Sequence, residues 1–220
     1  MGTTSDKATY LYNTKQLLKD KINSMGGNIT DNTTFREYVD ELDNIAPGGN
    51  FVLPTNTRFS NSTFTIFPDG ADFSEITDAQ YMFYSCTNLE EVNSIINLNS
   101  CTSCTSMFQS CSKLEAVTIT NTNNVTNMGS MFNGCTALIT IPVFETNNVG
   151  SSGFRNVFTG CTSLSNTSLN NILQMCINAT KVGSSYKKLS SIGLTSAQAT
   201  TCQSLSNYQA FVNAGWSTGY

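Results

Sequence analysis

A repeat constrains this chain more than any other feature. Met82-Phe83 is followed by Met107-Phe108, Met131-Phe132 and Val157-Phe158, at intervals of 25, 24 and 26 residues. Three residues after each Phe stands a cysteine: Cys86, Cys111, Cys135 and Cys161. Three further on stands a leucine: Leu89, Leu114, Leu138 and Leu164. Val92, Val117 and Ile141 continue the pattern, and Thr167 breaks it. Ile76, Cys101 and Val125 lie six residues before each Met, and the fourth copy carries two extra residues around Gly153. A degenerate earlier copy begins at Phe59.

A unit this short cannot bury an apolar face alone, so units must stack on one another. Short alternating stretches at 91–95, 116–120 and 140–144 predict one strand per unit. Successive strands then pair in parallel about 4.8 Å apart. Parallel pairing needs a crossover, and the Met-Phe-x-x-Cys segment predicts a short helical turn within it. A period of roughly 20–29 residues with one strand per unit is the leucine-rich-repeat signature.

The flanks differ from the repeats. In "YLYNTKQLLKDKINSM", Leu17, Leu18 and Ile22 share a helical stripe that Gly26-Gly27 ends. Thr34 and Glu37 form a capping-box pattern before a second stripe containing Phe35, Tyr38 and Leu42. Residues 1–45 therefore predict a helical hairpin, and 46–58, with "APGGN", a linker. Residues 59–164 are the repeats. After Leu164, "SLNNILQMCINAT" has helical spacing, and further helices are expected near Ser196 and Ser206. Residues 165–220 are expected to form a helical cap over the exposed repeat end. The expected fold class is α/β, a leucine-rich-repeat solenoid with an N-terminal helical hairpin and a C-terminal helical cap.

Composition narrows the function. The chain has 220 residues, with 12% charged residues and a net charge of -4. Ser, Thr and Asn make up more than a third of it. That surface suits hydrogen bonding to neutral partners and offers no electrostatic footprint for nucleic acid. There is no His, which removes the commonest general base and metal ligand. No signal-peptide pattern opens the sequence, and no apolar run reaches the length of a membrane span. No membrane insertion is expected.

"MFNGCTALITIPVF" and its sister copies resemble the BspA-like leucine-rich repeats and related bacterial repeats of the form "NVTNMxxMFxxCxxL". "NNVTNMGSMFNGCTAL" at 123–138 matches that form nearly residue for residue. The resemblance spans about residues 59–165. It implies a scaffold of the kind found in bacterial surface proteins and in phage and prophage products, hence binding rather than catalysis. Residues 10–42 resemble a leader of phage structural proteins of the tail, baseplate or fibre. That resemblance implies a non-enzymatic virion protein docked to other virion proteins through Leu17, Leu18, Ile22, Phe35, Tyr38 and Leu42. Copies would be multiple or homo-oligomeric, and the repeats would be displayed for host attachment to a surface glycan or protein. The alternative is a bacterial cell-surface adhesin.

The residues that look chemical fit packing better. Four of the eight cysteines recur once per repeat, which predicts a ladder of free, buried thiols, with disulfides and metal binding as the alternatives. Cys101-Thr-Ser-Cys104 is a lone C-x-x-C, a weak metal or redox signal, and Cys101 falls where Ile76 and Val125 fall. No cofactor is implied, and no catalytic constellation appears. The candidate binding residues are those alternating with buried Val and Ile on the strands: Glu91, Asn93, Ile95, Thr118, Thr120, Thr140, Pro142 and Phe144. Ile141 and Val143 are expected to face inward.

Overall fold

The computed structural model describes Lys19, Thr30, residues 51–55 and residues 57–220. The chain divides into two compact units, Met1–Asn50 and Phe51–Tyr220. The expected hairpin and its docking residues Leu17, Leu18, Ile22, Phe35, Tyr38 and Leu42 lie outside the described residues. Of the expected linker 46–58, residues 46–50 and 56 lie outside the described residues. β1 (Phe51–Val52) pairs in parallel with β3 (Ala71–Asp72), so the second unit begins at Phe51.

The strands of the repeat region are two residues long. β2 (Ile66–Phe67) pairs with β4 (Glu91–Val92), and β5 (Ile96–Asn97) pairs with β6 (Ile119–Thr120), all in parallel. Isolated parallel bridges add Asp78 to Ser103, Ser103 to Asn127, and Ala116 to Thr140. The five-residue strands expected at 91–95, 116–120 and 140–144 are thus reduced to fragments. Between β4 and β5 the Ser94 side chain turns inward, where its hydroxyl donates to the Pro68 carbonyl at 2.7 Å and accepts from the Ala71 N–H at 3.0 Å. A buried hydroxyl is tolerated when bonded in this way. On the two sides of Ser94 the strand fragments pair with different neighbours: Glu91 with Ile66, 25 residues back, and Ile96 with Ile119, 23 residues on.

The return side is more regular and is not helical. Tyr81, Phe83 and Ser85 donate their N–H groups to the Thr105, Met107 and Gln109 carbonyls of the next repeat, at 3.0, 2.8 and 2.8 Å. Between them, Met82, Tyr84 and Cys86 donate back three residues, to Ala79, Tyr81 and Phe83. Ser106, Phe108 and Ser110 repeat the pattern toward Gly129, Met131 and Asn133, and Ser130, Phe132 and Gly134 toward Arg155, Val157 and Thr159. An α-helix would bind each N–H four residues back, with every φ negative. Here φ is positive at two fixed positions per repeat: Tyr81, Ser106, Ser130 and Asn156, then Ser85, Ser110, Gly134 and Gly160. Those left-handed residues aim alternate N–H groups at the neighbouring repeat. The expected helical turn is therefore a stack of tight turns, and the i, i+1, i+4 spacing of Met, Phe and Cys imitated a helix.

The rings follow this backbone. Phe59 stacks on Phe83, Phe83 on Phe108, Phe108 on Phe132, and Phe132 on Phe158, with centroids 5.3, 5.0, 5.6 and 5.9 Å apart. The degenerate copy at Phe59 is a true member of the series. Met82, Met107, Met131 and Val157, and Leu89, Leu114, Leu138 and Leu164, are buried beside them.

C-terminal helices follow the repeats: α1 (Asn166–Asn178), α2 (Leu189–Ile192), α3 (Ser196–Cys202) and α4 (Tyr208–Asn213). α1 starts at Ser165, whose hydroxyl accepts from the Ser168 N–H, and buries Leu169, Ile172, Leu173 and Cys176. It also completes the strand side. The Ser168 hydroxyl donates to the Ile139 carbonyl at 2.8 Å and accepts from the Ile141 N–H at 3.1 Å, and Asn171 donates to the Ile141 carbonyl at 2.9 Å. Helix side chains thus fill the bonds a further strand would have made. On the return side, Asn156 and Phe158 donate to the Ser191 and Ile192 carbonyls, so α2 and its end close the turn stack. Gly193 ends α2 at φ 96, and a Cβ there would collide with the Thr159 backbone.

Candidate functional site

The residues with chemical potential come first. All eight cysteines are free and buried. Four of them serve one bonding scheme. The Cys86, Cys111, Cys135 and Cys161 thiols donate to the carbonyls of Phe59, Phe83, Phe108 and Phe132 in the preceding repeat, at 3.1, 3.0, 3.0 and 3.1 Å. Each of these carbonyls also takes a backbone N–H three residues on. The thiol is therefore the second donor to an acceptor with two lone pairs. It is small enough for a position packed at zero to one per cent exposure. Burial pushes the Cys135 thiol well above its ordinary range and Cys161 up to about 12, so neither is a ready nucleophile. Cys202 is raised to about 11 by the same cause. Among the described residues, no group of three or more His, Cys, Asp or Glu is placed to hold a metal ion. Again among them, no helix is long and apolar enough to cross a membrane.

The strand side holds the candidate binding residues. Glu91, Asn93, Ile95, Thr118 and Thr140 are exposed, and Thr120 and Pro142 are half-buried. Phe144 is 1% exposed and cannot line that face. The alternation expected through Ile141, Val143 and the residues between them fails at Pro142. No strand runs past Thr140, so the two-residue period does not carry on. Val143 turns outward at 42% exposure, while Phe144 turns in to stack on Phe132 at 6.1 Å.

The register corrects a second expectation. Ile96 pairs with Ile119, which sets Ile95 beside Thr118 rather than Thr120. Glu91 does align with Ile66 on one side. Glu115 on the other side donates its N–H to the Glu90 carbonyl, and Ala116 bridges to Thr140. Glu91, Ala116 and Thr140 thus follow one row.

Sequence reasoning missed three members of this surface: Ile66, Ile139 and Val143, each more than 40% exposed. Ile95 is the most exposed of the group at 61%. The signal was the density of β-branched residues after each repeat Leu, more than one buried row can take. The surface is otherwise weakly charged. Glu90 pairs with Lys113 at 3.5 Å, both half in water, where such a pair contributes little. At the lower edge, burial alone would raise the Glu145 carboxyl. Bonds from the Thr122 hydroxyl and backbone N–H outweigh it and hold the carboxyl below its usual value.

Residues 56–172 match the model of a family described as "Mycoplasma protein of unknown function, DUF285". No curated protein and no solved structure matches the chain.

Proposed function

We propose, from the premise that the chain belongs to the DUF285 family, a family generally known as a BspA-like leucine-rich-repeat type, that it is a non-enzymatic binding module. In this reading the stacked repeats are a leucine-rich-repeat solenoid. The strand side contacts a neutral partner, a host-surface glycan or protein. The observation that carries it is the division of residue types between the two sides. Thiols and the stacked Phe rings are consumed by packing, while Ile66, Ile95, Ile139 and Val143 stand in water among Thr and Asn. Large apolar groups left in water on an otherwise polar side are the features a partner would cover.

The finer reading places the module on a phage particle as a virion structural protein. Residues 1–45 would dock it there, and the repeats would serve host attachment. Its support is the resemblance of residues 10–42 to phage structural leaders. A bacterial cell-surface adhesin is the second reading, favoured by a family description that names a bacterial genus. Mass spectrometry of purified particles separates the two: the virion reading predicts the chain in washed particles, and its absence there ends that reading. Binding is tested with the whole chain on host cells. The double variant I95D/V143D is expected to lose most of its binding while keeping its thermal midpoint. Undiminished binding by that variant removes the strand side from the proposal.

A further inference from the structure

Cys101 and Cys104 differ from the other cysteines. Four of the remaining six are tied one per repeat to a Phe carbonyl, and Cys176 and Cys202 lie in the helical region. Cys101 and Cys104 touch each other, with sulfur atoms 3.8 Å apart, and the Cys101 thiol also reaches the Ser103 carbonyl of its own loop at 3.2 Å. The repeat does not demand a thiol at either place. The Cys101 position holds Ile76 and Val125 in the neighbouring repeats, and the Cys104 position holds Ala79 and Met128. All four of those residues are buried without strain on the pattern. A thiol pair where neither adjacent repeat carries a thiol points beyond packing.

We propose that Cys101 and Cys104 form a reversible intrachain disulfide, a redox modification site that responds to peroxides. The backbone favours this pair over the ladder cysteines. Ser103 lies between them and is bridged to Asp78 on one side and Asn127 on the other, which fixes the loop on both flanks. The Cys101 and Cys104 N–H groups are also bonded, to the Leu98 and Asn127 carbonyls. Bond formation needs the two sulfurs to close from 3.8 Å to about 2.05 Å, a rotation of side chains on a held loop. The ladder thiols come from stacked, parallel positions on different repeats, each bonded across to the preceding repeat, whereas Cys101 and Cys104 share one loop.

The two thiols also divide the work. The thiol of Cys104 stabilises the Cys101 thiolate by a hydrogen bond, which lowers the Cys101 pKa, and Cys104 is raised by the same bond and by burial. Cys101 is the attacking sulfur. Its thiolate takes one oxygen from hydrogen peroxide, the O–O bond breaks, and hydroxide leaves and is protonated to water. The resulting Cys101 sulfenic acid is then attacked by the Cys104 sulfur. The S–O bond breaks, the S–S bond forms, and the second oxygen leaves as water with the Cys104 proton. Two thiols and one peroxide give one disulfide and two waters. A dithiol reductant reverses the change.

The test treats the folded full chain with hydrogen peroxide, blocks remaining thiols after unfolding, and maps them by mass spectrometry. The proposal predicts loss of two hydrogens from the peptide that carries Cys101 and Cys104, with the other six thiols still blockable. The change should disappear in C101V/C104A, which installs the residue types of the neighbouring repeats and is expected to keep the thermal midpoint within a few degrees. Dithiothreitol should restore both thiols in the parent. Oxidation that maps to Cys86 and Cys111, or to sulfinic acid at Cys101 with Cys104 still reduced, overturns the proposal. So does a parent chain whose eight thiols all remain blockable while a control thiol in the same tube is oxidised.

Discussion

The turn side and the strand side of the same repeats are built to different standards. On the turn side, each repeat presents the same alternate N–H groups, the same left-handed positions and one Phe ring stacked on the next. On the strand side, pairing comes in two-residue fragments, the paired neighbour changes around Ser94, and the last repeat is completed by helix side chains. The lesson is that regularity and exposure are separated. The side that holds the repeats together has little freedom to change. The side that shows Ile66, Ile95, Ile139 and Val143 to water has few backbone bonds to lose when its residues change.

The largest expected break is in the Phe stack. Phe108 lies between Phe83 and Phe132 and is fully buried, so Phe108→Ala should cost about 3–5 kcal/mol in denaturant unfolding. A loss under about 1 kcal/mol would show that the turn side does not carry the fold.

Alkali should act next, through the same side. The folded Cys135 and Cys161 thiols titrate above their unfolded values. Their contribution is complete below the unfolded thiol value of about 8.5 and is lost as pH rises from there toward the folded value, about 12 for Cys161. The thermal midpoint should therefore fall steadily above about pH 9. It should fall less in the variant C135A/C161A than in the parent.

Cys135→Ala alone, at neutral pH, removes one thiol bond to the Phe108 carbonyl, which keeps its backbone donor. About 1 kcal/mol is expected from denaturant unfolding. Ser110→Gly should have the opposite sign. Ser110 sits at φ 66 where the next two repeats have glycine, so relief of the left-handed penalty should raise stability by up to about 1 kcal/mol. On the strand side, Ile95→Ala should change stability by less than about 0.5 kcal/mol.

The two sides were not equally legible in the sequence. The repeat, the buried cysteine and leucine columns and the membership of Phe59 were readable because each recurs at one spacing. The helices after Leu164 were readable because α1 keeps a helical apolar stripe and Ser165 caps it. The turn stack was not. Its left-handed positions are held mainly by Ser, Asn and Tyr, and only Gly134 and Gly160 hint at positive φ. The inward turn of Phe144 was hidden for another reason. Strict alternation assumes an extended strand, and the chain leaves the strand after Thr140, where Pro142 has no N–H to pair. The inward turn of Ser94 was equally invisible, because a serine that bonds Pro68 reads in sequence like any outward serine.

Residue-resolved amide hydrogen exchange of the full chain sets the two sides against each other in one experiment. The account predicts that the amides of Phe83, Ser85, Phe108, Ser110, Phe132 and Gly134 exchange only through global unfolding, with one shared protection, while Ile95, Thr118 and Val143 exchange by local opening many-fold faster. Equal protection on both sides, or faster exchange on the turn side, would contradict it.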